Sequence, residues 1–402
     1  MQQSERARRV QPFYVMEMAK EAARVAQQAA GSAQPMIYLN VGEPDFTAPP
    51  LVREAAERAI RDGRTGYTDS AGLPQLRERI SQWYLDRFGL AIPASRIVVT
   101  AGASAALHLA CLALIDPGDE ILMPDPSYPC NRQFVNMAGG NAVLLPTSAA
   151  ERFQLSAAQV EAAWGGNTRG VMLASPSNPT GTSIHPAELA RMHDVVTGHG
   201  GITLIDEIYL GLSYDDTFGH SALALDERII SINSFSKYFS MTGWRLGWLV
   251  LPPALVSTIE QMAQHLYICP STIAQHAALA CFEPESLAEY EQRRERFRSR
   301  RDWFVPQLQQ LGLEVPVLPD GAFYAWANCA ALCRQMTAGR GGSQPVTSWE
   351  LAFDWLHRAH VAATPGRDFS EASGADWIRF STASAMEHLE AAVARLAALA
   401  DT

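Results

Sequence analysis

The chain has 402 residues, 48% hydrophobic and 18% charged, enough to bury a large core and to build two domains. Its formal charge of −10 is spread along the sequence, with no acidic tail or basic face, which argues against a nucleic-acid partner. No apolar run reaches the roughly 20 residues that cross a bilayer, and no signal-peptide core follows the charged start Ser4-Glu5-Arg6-Ala7-Arg8-Arg9, so a cytoplasmic protein with small-molecule partners and no membrane is expected.

In chain order, an N-terminal arm (1–50) precedes a region of alternating short apolar runs and helical patterns. From about Ser95 the runs Ile97–Thr100, Glu120–Met123, Ala142–Leu145, Gly170–Ala174, Ile202–Ile205, Ile229–Ile232 and Gly247–Leu251 each read as a strand bounded by Gly, Pro, Asp or Asn. Such alternation predicts a mostly parallel seven-stranded sheet covered by helices. After Pro252 the pattern turns helical, and Ser286–Gln310, carrying Arg293, Arg294, Glu295, Arg296 and Arg298, predicts one long, partly exposed linking helix. Short strands near Ala322–Ala327, Val361–Thr364 and Trp377–Ser381 then alternate with helices from Trp349 and from Ala385. The fold class is therefore α/β: a large domain at 51–290 and a smaller α/β domain at 291–402 that also takes part of residues 1–50. Gly339–Ser343 reads as a surface loop, since no strand leads into it as it would into a phosphate cradle.

Six cysteines at 111, 130, 269, 281, 329 and 333 lack the paired spacing of zinc or redox motifs and read as buried thiols. His357 and His360 could share a helix face but have no third ligand, so no metal is expected.

The most informative stretch is Ser234-Phe235-Ser236-Lys237-Tyr238-Phe239-Ser240-Met241-Thr242-Gly243-Trp244-Arg245, directly after a predicted strand. Two hydroxyls precede the lysine, an arginine follows eight residues later, and glycine between them permits a compact turn. Six further motifs stand in order around it: Gly42-Glu43-Pro44-Asp45-Phe46; Tyr67 before Gly72-Leu73-Pro74; Thr100-Ala101-Gly102-Ala103-Ser104; Ser175-Pro176-Ser177-Asn178-Pro179-Thr180-Gly181; Asp206-Glu207-Ile208-Tyr209; and Ile378-Arg379-Phe380-Ser381.

This ordered set resembles the class I/II aminotransferases, the fold-type-I pyridoxal-phosphate enzymes, over nearly the whole chain. The resemblance implies pyridoxal 5'-phosphate as cofactor and amino-group transfer between an amino acid and a 2-oxo acid. It implies Lys237 as the Schiff-base lysine and proton carrier, since a freed amine can move the α-proton. Asp206, ending a predicted strand, matches the carboxylate that keeps the pyridine nitrogen protonated and the ring an electron sink. Tyr209 and Asn178 match the ring-oxygen partners, and Tyr128 the aromatic stacked on the ring face. Gly102, Ala103 and Ser104 lie where a helix N-terminus can cradle the phosphate, joined by Ser234, Ser236 and Arg245. Tyr67 matches a tyrosine that reaches the phosphate of a neighbouring subunit, implying a homodimer with shared sites. Arg379 matches the residue gripping the substrate carboxylate, with Asn178 and a close backbone approach at Gly42.

Where an aspartate-preferring subgroup would carry a lysine, this chain has Ser104, which points to a neutral or aromatic donor, with Phe13, Tyr14 and Tyr267 as candidate contacts. Two alternatives share the motifs. The same electron sink supports β-elimination, and aminotransferase-like modules also serve ligand-sensing regulators. The segment before Gly42 leaves no room for a DNA-binding winged helix.

Overall fold

The computed structural model describes residues 2–10, 14–28, 34–339, 341 and 344–400. Its strands in chain order are β1 (Ile37–Tyr38), β2 (Ile97–Thr100), β3 (Glu120–Asp125), β4 (Asn141–Pro146), β5 (Thr168–Ala174), β6 (Ile202–Asp206), β7 (Ile230–Ser234), β8 (Gly247–Val250), β9 (Tyr324–Asn328), β10 (Val361–Ala362), β11 (Thr364–Pro365) and β12 (Trp377–Ser381). Each run read as a strand of the large sheet is present, its ends moved by at most two residues.

The central sheet has the order β2-β8-β7-β6-β5-β3-β4. β4, β3, β5, β6 and β7 pair in parallel, and β8 runs antiparallel to both β7 and β2. Helices cover both faces, which is why β2 and β8 are buried at every position and read as continuous apolar runs instead of alternating ones. Parallel strands all deliver their carboxyl ends to one edge, the edge at which such sheets bind ligands. Ala174, Asp206 and Ser234 end β5, β6 and β7 there.

A second sheet, β11-β12-β9, is antiparallel, and β1 pairs in parallel with β10. Its core joins both chain ends: Met18, Ala22, Ile37 and Leu39 pack with Phe304, Leu356, Phe380 and Leu396. The helix Pro284–Gln310 has 27 residues and at 1.5 Å per residue spans about 40 Å. Tyr290 and Phe297 sit in the large core, while Phe304, Val305 and Leu308 sit in the second, so one helix ties the two together.

That helix departs from expectation in one respect. Arg293, Arg300 and Arg301 are buried, although arginine-rich helix surfaces usually face water. Arg300 grips Asp45, 255 positions earlier, through two 2.8 Å bonds, whereas Arg293 pairs with Glu289 and donates to the Thr47 carbonyl at 2.7 Å, and Arg301 pairs with Asp302. Four cysteines are buried, whereas Cys130 and Cys269 are half-buried. His357 faces Glu21 at 3.3 Å, and His360 meets the Gln34 carbonyl at 2.7 Å. Of the glycine-rich stretch 339–343, residues 340, 342 and 343 lie outside the described residues, as does Phe13.

Candidate active site

The carboxyl edge of the sheet opens into a cavity of about 440 Å³ that lies between the two cores. Lys237 projects into it from the turn after β7. The turn is anchored by Phe235 and Phe239, both buried against Trp248 with ring centroids 5.0 and 6.2 Å away. Full burial of such side chains is worth about 1.5–3 kcal/mol each, so the lysine's base is held by the core itself. Its amine donates to the Gly42 carbonyl at 2.6 Å. Burial, then the charge of Arg379, pulls that amine down to about 8.

Asp206 lines the same cavity and is 6% exposed. Burial pushes its carboxyl up to about 7, against the opposing pull of the Ile208 amide, which donates to it at 3.1 Å. A buried carboxylate of this kind calls for a positive partner. Its neighbour Glu207 turns away and is tied to Ser221, Ala222 and Ser231 beneath the sheet, so only Asp206 faces the cavity.

At one end of the cavity the helix Ala103–Leu114 begins, with Gly102 as its N-cap. Gly102 has φ 87°, and a Cβ there would lie 2.7 Å from Arg245 Nη2, so the close approach of the arginine requires glycine. Arg245 adopts φ 55° in the left-handed region, which costs a non-glycine residue about 1–2 kcal/mol. Its Nη1 donates to the Thr242 carbonyl at 2.9 Å. Ser234 and Ser236 are buried beside it, their hydroxyls 2.9 Å apart. Helix amides, two hydroxyls and a guanidinium together make an anion cradle.

At the other end stands Arg379 on β12, 4% exposed. Nη1 donates to Asn178 Oδ1 at 2.9 Å and Nη2 to the Asn40 carbonyl at 2.8 Å. Nε is buried with no hydrogen-bond partner among the described residues, a donor left for a ligand. Tyr128, Asn178, Tyr209 and Gly42 also line the cavity. Tyr67 is 82% exposed and does not line the cavity.

Two expected substrate contacts, Tyr14 and Tyr267, do not line this cavity. Tyr14 lies in a neighbouring surface cavity, its amide held by Asp368 at 3.2 Å and its ring under Arg367. Tyr267 packs against the core under the helix Pro253–Leu266, away from the cavity. Cavity residues assigned no individual role from sequence include Asn40, Glu43, Thr242, Val15, Ala19 and Tyr324. Glu43 and Thr242 stood inside two of the motifs, and Tyr324 stood within the expected strand Ala322–Ala327.

The sheet edge, the buried lysine and the cradle define an enzyme that binds a small anionic, amine-reactive cofactor. Residues 34–396 match the family model described as aminotransferase class I and II, and the chain belongs to that family. It is an aminotransferase that uses pyridoxal 5'-phosphate and acts on amino and 2-oxo acids. It is 35% identical to the valine–pyruvate aminotransferase of Mycobacterium tuberculosis, over 96% of each chain. To an aspartate aminotransferase of Rhizobium meliloti it is 34% identical, over 98% of this chain and 96% of that one. The crystal structure of an aminotransferase from Mycobacterium tuberculosis superposes with a TM-score of 0.92 at 33% identity, covering all of both chains.

The residues present fit this cofactor. The cradle matches a phosphate, the buried Asp206 matches a pyridinium, and Lys237, held partly neutral, matches an amine that must react with an aldehyde.

Proposed function

We propose that the enzyme moves the amino group of a neutral or aromatic amino acid to a 2-oxo acid in a ping-pong sequence. Lys237 is the covalent anchor in this reading. When bound, the cofactor supplies an electron sink for the carbanion at the substrate's α-carbon. Lys237 Nζ takes the proton from that carbon, a role its lowered basicity suits near neutral pH. Asp206 holds the proton on the pyridine nitrogen. Tyr209 and Asn178 meet the ring oxygen, and Tyr128 covers the ring face. Gly102, Ala103 and Ser104, with Ser234, Ser236 and Arg245, hold the phosphate, completed by Tyr67 from a second subunit of a homodimer. The exposure of Tyr67 supports that assignment. Arg379, with Asn178 and Gly42, orients the substrate carboxylate, and its unpartnered Nε supports this role.

The observation that carries the donor preference is the cavity's charge. Three cationic side chains line it, Lys237, Arg245 and Arg379, and the roles above occupy all three. Among the described residues lining the cavity, no further cation is left for a second carboxylate, while Val15, Ala19 and Val41 offer an apolar wall. Relatives named for valine and for aspartate both resemble the chain, so the weight rests on the cavity. A panel of donors against 2-oxoglutarate and pyruvate tests it. Neutral or aromatic donors should exceed aspartate in kcat/KM by about tenfold or more, the usual worth of a good charge-matched contact. Aspartate as the best donor would overturn the preference.

We also read the chain as a large domain at 51–290 and a small domain at 291–402 joined by part of 1–50, supported by the packing of Met18 and Ile37 with the C-terminal core. Six free thiols support a reducing, cytoplasmic setting.

A further inference from the structure

Tyr324 opens β9 and is 2% exposed. Its hydroxyl lies 2.8 Å from that of Tyr209, and its ring lies under the Arg379 guanidinium at 4.5 Å. Its hydroxyl also lies against Gly42, where a Cβ would come within 2.6 Å of it. Gly42 in turn takes the Lys237 amine on its carbonyl. One side chain therefore touches the residues read as ring-oxygen partner, carboxylate grip and lysine rest. β9 and β12 build this contact by pairing Trp326 with Arg379 and Tyr324 with Ser381.

We propose that Tyr324 is a positioning residue with two separable parts: its hydroxyl donates to Tyr209 and thereby turns the Tyr209 hydrogen into the cavity, and its ring holds Arg379 flat for the substrate carboxylate. This rests on the reading that Tyr209 faces the cofactor's ring oxygen. Two hydroxyls that share one hydrogen bond leave one hydrogen over. Burial keeps both phenols protonated across the working pH range, so the pair always has that hydrogen to offer. If Tyr324 donates, the free hydrogen belongs to Tyr209 and points to an acceptor on the ligand. A hydrogen bond offered to the ring oxygen favours its anionic form and lowers the pH at which the bound cofactor's absorbance changes.

The test uses the holoenzyme without substrate and follows that absorbance midpoint in Tyr324→Phe, Tyr209→Phe and the double variant, with cofactor retention and Tm as folding checks. Tyr324→Phe should raise the midpoint by about half a pH unit to one, the scale of a single hydrogen bond. Tyr209→Phe should raise it further, and adding Tyr324→Phe to it should change nothing more. Donor KM should stay within about threefold in Tyr324→Phe, which keeps the ring, and rise by about tenfold in Tyr324→Leu, which removes it. An unmoved midpoint in Tyr324→Phe, with a moved one in Tyr209→Phe, overturns the hydroxyl role of Tyr324. An unmoved midpoint in Tyr209→Phe overturns the underlying reading of Tyr209. Equal donor KM in Tyr324→Phe and Tyr324→Leu overturns the role of the ring.

Discussion

Lys237 captures the cofactor only as a neutral amine, so its lowered basicity has a direct kinetic consequence. With the amine at about 8, roughly one enzyme molecule in ten carries it neutral at pH 7, against about one in three thousand for a free lysine side chain. The structure therefore predicts capture about 300-fold faster than an unperturbed lysine would give. The sign follows from the cause. Burial and Arg379 disfavour the charged form, so the neutral fraction grows as pH rises through about 8, two units or so below an ordinary lysine. By linkage, the apoenzyme gains stability from this group as pH rises from about 8 to the ordinary lysine value and lacks that gain below 8. The assay mixes apoenzyme with pyridoxal phosphate at a series of pH values, stops with borohydride, and quantifies the labelled Lys237 peptide against Nα-acetyllysine treated identically. Half-maximal labelling is expected near pH 8. Arg379→Met should move it upward, because a neighbouring cation is lost, and Asp206→Asn downward, because a neighbouring anion is lost. A midpoint near that of free lysine, the same direction of shift in both variants, or label on another lysine would refute the reasoning.

Asp206→Ala should fold and bind cofactor yet slow the half-reaction with an amino acid by about 10²–10³-fold, the usual cost of removing a fixed charge from the reacting centre; stopped-flow absorbance at saturating donor reads it, and a near-normal rate sinks the pyridinium role. Arg379→Lys should raise donor KM by about 10–100-fold with a smaller change in kcat, since a point charge replaces a planar fork. Mixed dimers of Lys237→Ala with Tyr67→Ala should recover up to roughly half of the wild-type site activity, provided the Tyr67→Ala homodimer is clearly impaired. No recovery after verified subunit exchange counts against a shared site. Phe239→Ala should lower stability by about 3–5 kcal/mol in chemical denaturation, through the cavity left beneath the lysine turn.

The large sheet was legible because its strands are short β-branched or apolar runs with Gly, Pro, Asp or Asn as punctuation, and burial on both faces leaves little polar alternation to confuse them. The site residues that sit on local motifs stood out for a similar reason: Asp206 ends a strand, and Gly102 and Lys237 lie in the turns just after one. What stayed hidden depends on pairings distant in sequence. Tyr324 meets Tyr209 across 115 positions, and Arg300 meets Asp45 across 255. A pattern within one window cannot report either contact, so Tyr324 fell within an expected strand and Arg300 within a long, partly exposed helix, neither with a role of its own. Tyr14 and Tyr267 lie off the cavity of their own chain. Their residue type suited a substrate contact, but the tertiary fold gave one to Asp368 and Arg367 and the other to the core.

The central claim is amino-group transfer through one cavity in which Lys237 is the proton carrier. The most direct test adds a single amino donor to the purified holoenzyme and records the cofactor absorbance together with the products, before and after addition of a 2-oxo acid. Stoichiometric conversion of the cofactor to its amine form, with one equivalent of 2-oxo acid released, full reversal by the acceptor, and loss of the conversion in Lys237→Ala, is the predicted result. Continuous release of ammonia from the donor without any acceptor, or conversion that persists in Lys237→Ala, would contradict it.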